Sequence, residues 1–93
     1  MNKVNLVFDK TLSNLAGYDY GRKIYEEQVR GKIDLYQEFT IEFPEQIRGV
    51  ASSFVQGFFA NIVETIGLLA TEERTNIISG NSRVRNNILK KLQ

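Results

Sequence analysis

The stretch from Phe39 to Gly67 constrains the fold more than any other, because it carries a strand, a stop, a serine pair and an aromatic-rich helix in unbroken succession. Phe39, Ile41 and Phe43 alternate with Thr40 and Glu42, which is the period of a strand with one buried face, and predicts a strand over residues 39–43. Pro44 stops it, and residues 44–51 form a turn. Ser52 and Ser53 then introduce a helix over residues 54–66. Its stripe of Val55, Phe58, Phe59, Ile62, Val63 and Ile66, with Phe54 on the flank, makes it the most buried helix of the chain. Gly67 suits the left-handed position that ends a helix.

The flanking segments repeat this change of period. Val4, Leu6 and Phe8 predict a strand over residues 3–8. Leu15, Tyr18, Gly21, Ile24, Tyr25, Gln28 and Val29 fall near helical spacing over residues 12–30, closed by Gly31. Ser13 or Asn14 caps that helix, or Asp19 caps a shorter one that begins after Gly17. Gly17 and Gly21 share a face, which points to close packing on the sheet. Residues 68–74 read as a connection, and Ile77 and Ile78 mark a short strand over residues 75–79. Gly80, Asn81 and Ser82 supply a turn and a cap for a last helix in which Val84, Ile88 and Leu92 lie four apart, with Leu89 beside them.

Strands alternating with helices predict an α/β domain with parallel neighbours and right-handed crossovers. The long first connection has room for an extra strand at Ile33–Leu35. Ninety-three residues without internal repeats or linkers make one domain, residues 1–93. The 42% apolar share, with six Phe and four Tyr, is enough for a core.

The chain has no cysteine and no histidine. Disulfides, thiolate chemistry, the commonest metal ligand and the commonest general base near neutral pH are thereby excluded. Glu26–Glu27 and Glu72–Glu73 are adjacent pairs whose side chains diverge, so no metal is expected. Neither Gly-rich phosphate fingerprint occurs, and no cofactor is expected. The first eight residues are too short and polar for a signal peptide, and no apolar run reaches the roughly 18 residues of a membrane span, so a cytoplasmic location is expected.

A formal charge of +1 hides an asymmetry. Glu26, Glu27, Asp34, Glu38, Glu42 and Glu45 face only Arg30 and Lys32 in their segment. After Arg74 the chain carries Arg83, Arg85, Lys90 and Lys91 and no acid. Such a distribution steers a partner, or is solvated charge on two faces.

Ser53 followed by Gln56 has capping-box spacing, in which the hydroxyl accepts the Gln56 backbone N–H and the amide reaches back. The same position suits phosphorylation of Ser53 or Ser52, since a phosphate is tolerated at the positive end of a helix and changes any surface docked there. A serine nucleophile is disfavoured, with no histidine and no G-x-S-x-G elbow.

The runs Phe39-Thr40-Ile41-Glu42-Phe43 and Val50-Ala51-Ser52-Ser53-Phe54-Val55-Gln56-Gly57-Phe58, then Gly67 and Asn76-Ile77-Ile78-Ser79-Gly80-Asn81-Ser82, resemble the STAS-like domains, small bacterial proteins related to anti-sigma factor antagonists. The resemblance implies a small STAS-like single domain: a mixed, mostly parallel sheet of about four strands with helices packed on one side. It also implies a partner ATPase of the GHKL type that phosphorylates one serine of a pair at a helix start. Ser53 is the nearer match to the modified position. Ala51 stands where an acid is usual, and Phe54 replaces the usual glycine.

Three functional readings follow. The leading one is a non-enzymatic regulatory module that binds an ATPase or kinase-like protein through Gln46, Arg48, Ser52, Ser53 and Gln56, with Phe54 as apolar anchor. The second is a homodimer or assembly subunit using Val7, Phe39 or Tyr36 on an uncovered sheet face. The third is nucleic-acid binding by the last helix through Arg83, Arg85, Lys90 and Lys91 with Asn86 and Asn87, against which the near-neutral charge and the lack of interleaved aromatics weigh.

Overall fold

The alternation around Phe39 forms the middle strand of a parallel sheet in the computed structural model, which describes residues 2–92. In chain order the elements are β1 (Lys3–Asn5), β2 (Asn14–Leu15), α1 (Tyr18–Gln28), β3 (Phe39–Glu42), β4 (Gly49–Val50), α2 (Ser52–Ile66), α3 (Leu68–Arg74), β5 (Thr75–Ile78) and α4 (Ser82–Asn87), followed by a 3-10 turn, Leu89–Leu92. The main sheet has the order β1-β3-β5, with Val4 opposite Ile41 and Ile41 opposite Ile77. A separate two-stranded sheet pairs β2 with β4, also in parallel. This is the expected α/β architecture, with a parallel sheet and helices to one side.

Burial alternates along β3 as the period requires: Phe39 and Ile41 are buried, while Thr40 and Glu42 are half-exposed. By register, Lys3, Asn5, Asn76 and Ile78 share the second face with Thr40 and Glu42. Lys3 Nζ and Glu42 Oε1 are ion-paired across it at 2.8 Å. Parallel sheets usually have both faces covered. Here the second face is polar apart from Ile78, and that polarity lessens the need. Phe39 therefore belongs to the core and cannot serve an interface on an uncovered face, while Val7 and Tyr36 are exposed.

The buried face meets α1 and α2. Phe58 is the hub of the core: its ring lies 6.0 Å from that of Tyr25, 6.5 Å from Phe43, 5.8 Å from Phe54 and 5.0 Å from Phe59. Each fully buried aromatic of this kind contributes about 2–3 kcal/mol by removal from water. Val84, Ile88 and Leu92 close the core from the C-terminal segment.

Five expectations are corrected. Helix α1 begins at Tyr18 rather than at residue 12, because Asn14 and Leu15 pair with Gly49 and Val50. Its N-cap is Gly17 at φ +100°, so no Ser13, Asn14 or Asp19 side chain caps it; the shorter helix starting after Gly17 is the one formed. The extra strands are β2 and β4, and Ile33–Leu35 lies in turns. Residues 68–74 form a helix: after Gly67, at φ +85°, the axis turns by 108°, and Thr71 folds back to donate from Oγ1 to the Gly67 carbonyl at 2.7 Å. The expected last helix is divided into α4 and the 3-10 turn.

Other expectations hold in whole or in part. Asn81 caps α4, its Oδ1 accepting the N–H groups of Arg83 and Val84. The expected packing of Gly17 and Gly21 on the sheet is not formed: Gly17 is the N-cap, and Gly21 packs closely on α2, where a Cβ would lie 2.7 Å from the Phe58 nitrogen. Among the described residues no single helix is long and apolar enough to cross a membrane.

Candidate protein-interaction site at two helix starts

Parallel pairing of β2 with β4 brings two helix N-termini together. Leu15 leads within three residues to Tyr18 of α1, and Val50 leads through Ala51 to Ser52 of α2. The Ala51 N–H donates to the Leu15 carbonyl at 2.8 Å, and the Arg48 N–H to the Ser13 carbonyl at 2.7 Å. Both helices then run in the same sense, with Gly21 and Gly57 setting their closest approach. The positive ends of two helix dipoles consequently share one end of the molecule.

Ser53 ties those ends together. Its Oγ accepts the backbone N–H of Gly17 at 2.9 Å, so the N-cap residue of α1 is held by the second residue of α2. This replaces the expected capping box. The helix starts at Ser52, its N-cap is Ala51 with no side-chain cap, and Ser53 lies inside the first turn. The Gln56 amide turns away as well, donating from Nε2 to the Lys91 carbonyl at 2.7 Å. Lys91 Nζ donates in turn to the Val50 carbonyl. The C-terminal turn is thus fastened to the strand–helix junction, with an ammonium beside it.

The anticipated site residues divide accordingly. Ser52, Ser53 and Gln56 are exposed on the first turns of α2. Gln46 is half-buried and braces a loop, donating from Nε2 to the Asp9 carbonyl at 2.8 Å. Arg48 is exposed and lines a different, shallow depression with Gly80, Asn81, Ser82 and Arg83. Phe54 is fully buried, its ring stacked at 18° on that of Phe58, so it is no apolar anchor for a partner. Helical spacing puts Phe54 four residues before Phe58 on the core side of α2.

Gly17 and Lys91 belong to the site and were not singled out for it in the sequence. The positive φ of Gly17 leaves a weak trace, a glycine just before a helical run. Lys91 leaves none, because its contact spans 41 residues of chain.

Elsewhere, Glu26, Arg30 and Asp9 are engaged in structure. A polar groove between α1 and α2 is lined by Arg22, Tyr25, Glu26, Arg30, Asn61, Glu64 and Thr65. Glu26 accepts from Arg30 and from Asn61, each at 2.8 Å, and the Arg30 hydrogen bond foremost holds its carboxyl below the ordinary range. Burial pushes the Tyr25 hydroxyl up. Asp9 is held low by the Thr11 N–H and hydroxyl. Among the described residues no group of three or more acidic side chains could hold a metal ion. Arg83 and Arg85 are exposed on α4 while Val84 enters the core.

Comparisons with curated proteins and with solved structures give no match. A family model described as STAS-like domain of unknown function (DUF4325) matches residues 20–85, more than two thirds of the chain. That span runs from the first turn of α1 to α4 and takes in β3, the serine pair and all of α2. The chain belongs to this family of STAS-like domains.

Proposed function

We propose that the protein is a non-enzymatic regulatory interaction module whose start of α2 docks a protein partner, an ATPase or kinase-like protein of the GHKL type. The observation that carries this reading is the exposed Ser52–Ser53 pair at the joint start of two helices, with Ser53 bonded to Gly17 across the junction. Membership of a STAS-like family supports it. The docking surface comprises Ser52, Ser53 and Gln56 with Gly17 and Lys91, and Phe54 supports it from within.

Phosphorylation of Ser53 is the switch in this reading. A phosphate oxygen can take over as acceptor for the Gly17 N–H, while a charge of about −1.5 to −2 projects where the partner sits. The two helix dipoles and the Lys91 ammonium favour that charge, so the fold tolerates the change and the surface does not.

The test uses wild type, Ser53→Asp and Ser53→Ala as baits in lysate, followed by direct titration of the recovered ATPase against each. Binding should fall at least tenfold in Ser53→Asp, with thermal stability close to wild type. Equal affinity for wild type and Ser53→Asp would sink the switch.

A further inference from the structure

The outer edge of β1 is a place where the chain has completed a strand ladder with a side chain. The Thr40 N–H donates to the Asn2 carbonyl at 3.0 Å, and the Leu6 N–H donates to the Glu42 carbonyl at 2.9 Å. In a parallel ladder the bonding groups alternate along the strand, so Lys3, Asn5 and Val7 turn their N–H and C=O groups to the other edge. No other strand pairs there among the described residues. At Val7 the Gln28 amide fills the vacancy: Oε1 accepts the Val7 N–H and Nε2 donates to the Val7 carbonyl, both at 2.8 Å. A primary amide in that two-bond arrangement stands in for the N–H and C=O of one residue of a neighbouring antiparallel strand.

The ladder continues past Gln28 into open space. A groove of about 440 Å³ runs along this edge, lined by Lys3, Val4, Asn5, Val7, Gln28 and Lys32. Val7 is 71% exposed, which offers apolar contact to a side chain laid beside it. Lys32 is exposed at the rim, and Lys3 is charge-balanced by Glu42.

We propose that this edge is a docking site for an extended acidic peptide segment of a partner protein, which adds a strand to β1 opposite Lys3 and Asn5. Main-chain bonds supply the binding, as in other strand additions, and side chains beside the strand select the sequence. Charge selects the occupant. Pairing β1 with β1 of a second copy would bring the exposed Lys32 of both copies to one short ladder, where like charges oppose, Lys3 being neutralised by Glu42. An acidic segment instead meets Lys32. The site is separate from the start of α2 and stands independently of the reading given to Ser53.

The probe is a synthetic hexapeptide of alternating valine and glutamate, blocked at both ends, titrated into isotopically labelled full-length protein and followed by amide chemical shifts. Shifts should centre on Lys3, Asn5, Val7 and the Gln28 side chain, with slowed exchange of the Lys3 and Asn5 amides. A version N-methylated at alternate residues should bind at least tenfold more weakly. In Lys32→Glu, an exposed change that leaves the core untouched, the glutamate peptide should weaken severalfold and a valine–lysine peptide should strengthen. Absent or scattered shifts, or equal binding by the N-methylated peptide, would overturn the proposal. Concentration-dependent shifts of residues 3–7 without peptide would overturn it in favour of a second copy.

Discussion

At the residue scale the molecule turns on Gly57, which lets α1 and α2 approach within backbone contact. A Cβ at Gly57 would overlap the Tyr18 carbonyl oxygen and lie 2.8 Å from its carbon. Backbone groups cannot swing aside as a side chain can. Alanine is a better helix former than glycine by about 1 kcal/mol. Overpacking opposes this by about 3 kcal/mol, at the upper end of its usual range, because the obstacle is main chain. Gly57→Ala should therefore destabilise the fold by about 2 kcal/mol net in urea titration. Gly67→Ala is the contrast: nothing lies within 4 Å of that Cβ, yet φ +85° penalises any side chain, by about 1–2 kcal/mol. A Gly57→Ala variant as stable as wild type would mean that the helices can separate without loss, and the joint helix start would then be a soft feature.

At the element scale, the C-terminal turn is secured to the β4–α2 junction by two polar bonds and an apolar seat. Gln56 holds the Lys91 carbonyl, Lys91 holds the Val50 carbonyl, and Ile88 and Leu92 enter the core. One such hydrogen bond contributes about 1 kcal/mol, a factor of roughly five in local opening. Gln56→Ala and Lys91→Met should each speed amide exchange of residues 89–92 about fivefold and leave α1 unchanged. Unchanged exchange would show that the apolar seat alone sets the turn. The elements also differ in how far the sequence discloses them. Strands β1, β3 and β5 and helix α2 announce themselves because one face of each is buried and its period is written in Val4, Ile41, Ile77 and Phe58. Strands β2 and β4 have two residues each, too few for a period. Helix α3 has Leu68 and Leu69 outside and Thr71 inside, the reverse of an amphipathic stripe. In the site, the serine pair was visible as a helix start. The two-residue shift of the cap from Ser53 to Ala51 and the contacts with Gly17 and Lys91 were not, since they depend on where β2 lies against β4.

At the scale of the whole molecule, two sheets share one core. Leu15 and Val50, paired in the small sheet, are buried in the same apolar cluster as Ile41 of the main sheet and Phe58 of α2. Neither sheet therefore has a hydrophobic interior of its own, and the helix starts that carry Ser52 and Ser53 cannot open without exposing residues that the main sheet also needs. Cooperative, two-state unfolding follows for a chain of this size. Urea titrations followed by far-UV circular dichroism, which reports the helices, and by emission of the four tyrosines, of which Tyr25 is buried, should give coincident midpoints. The slope should be roughly 1 kcal/mol per molar urea. Leu15→Ala leaves a cavity beneath the small sheet and should lower both midpoints together, by roughly 2–5 kcal/mol of stability. If that variant shifted one signal and not the other, the paired helix starts would open as a unit of their own. A partner could then act by separating α1 from α2, and the hydrogen bond from Gly17 to Ser53 would be the latch it releases.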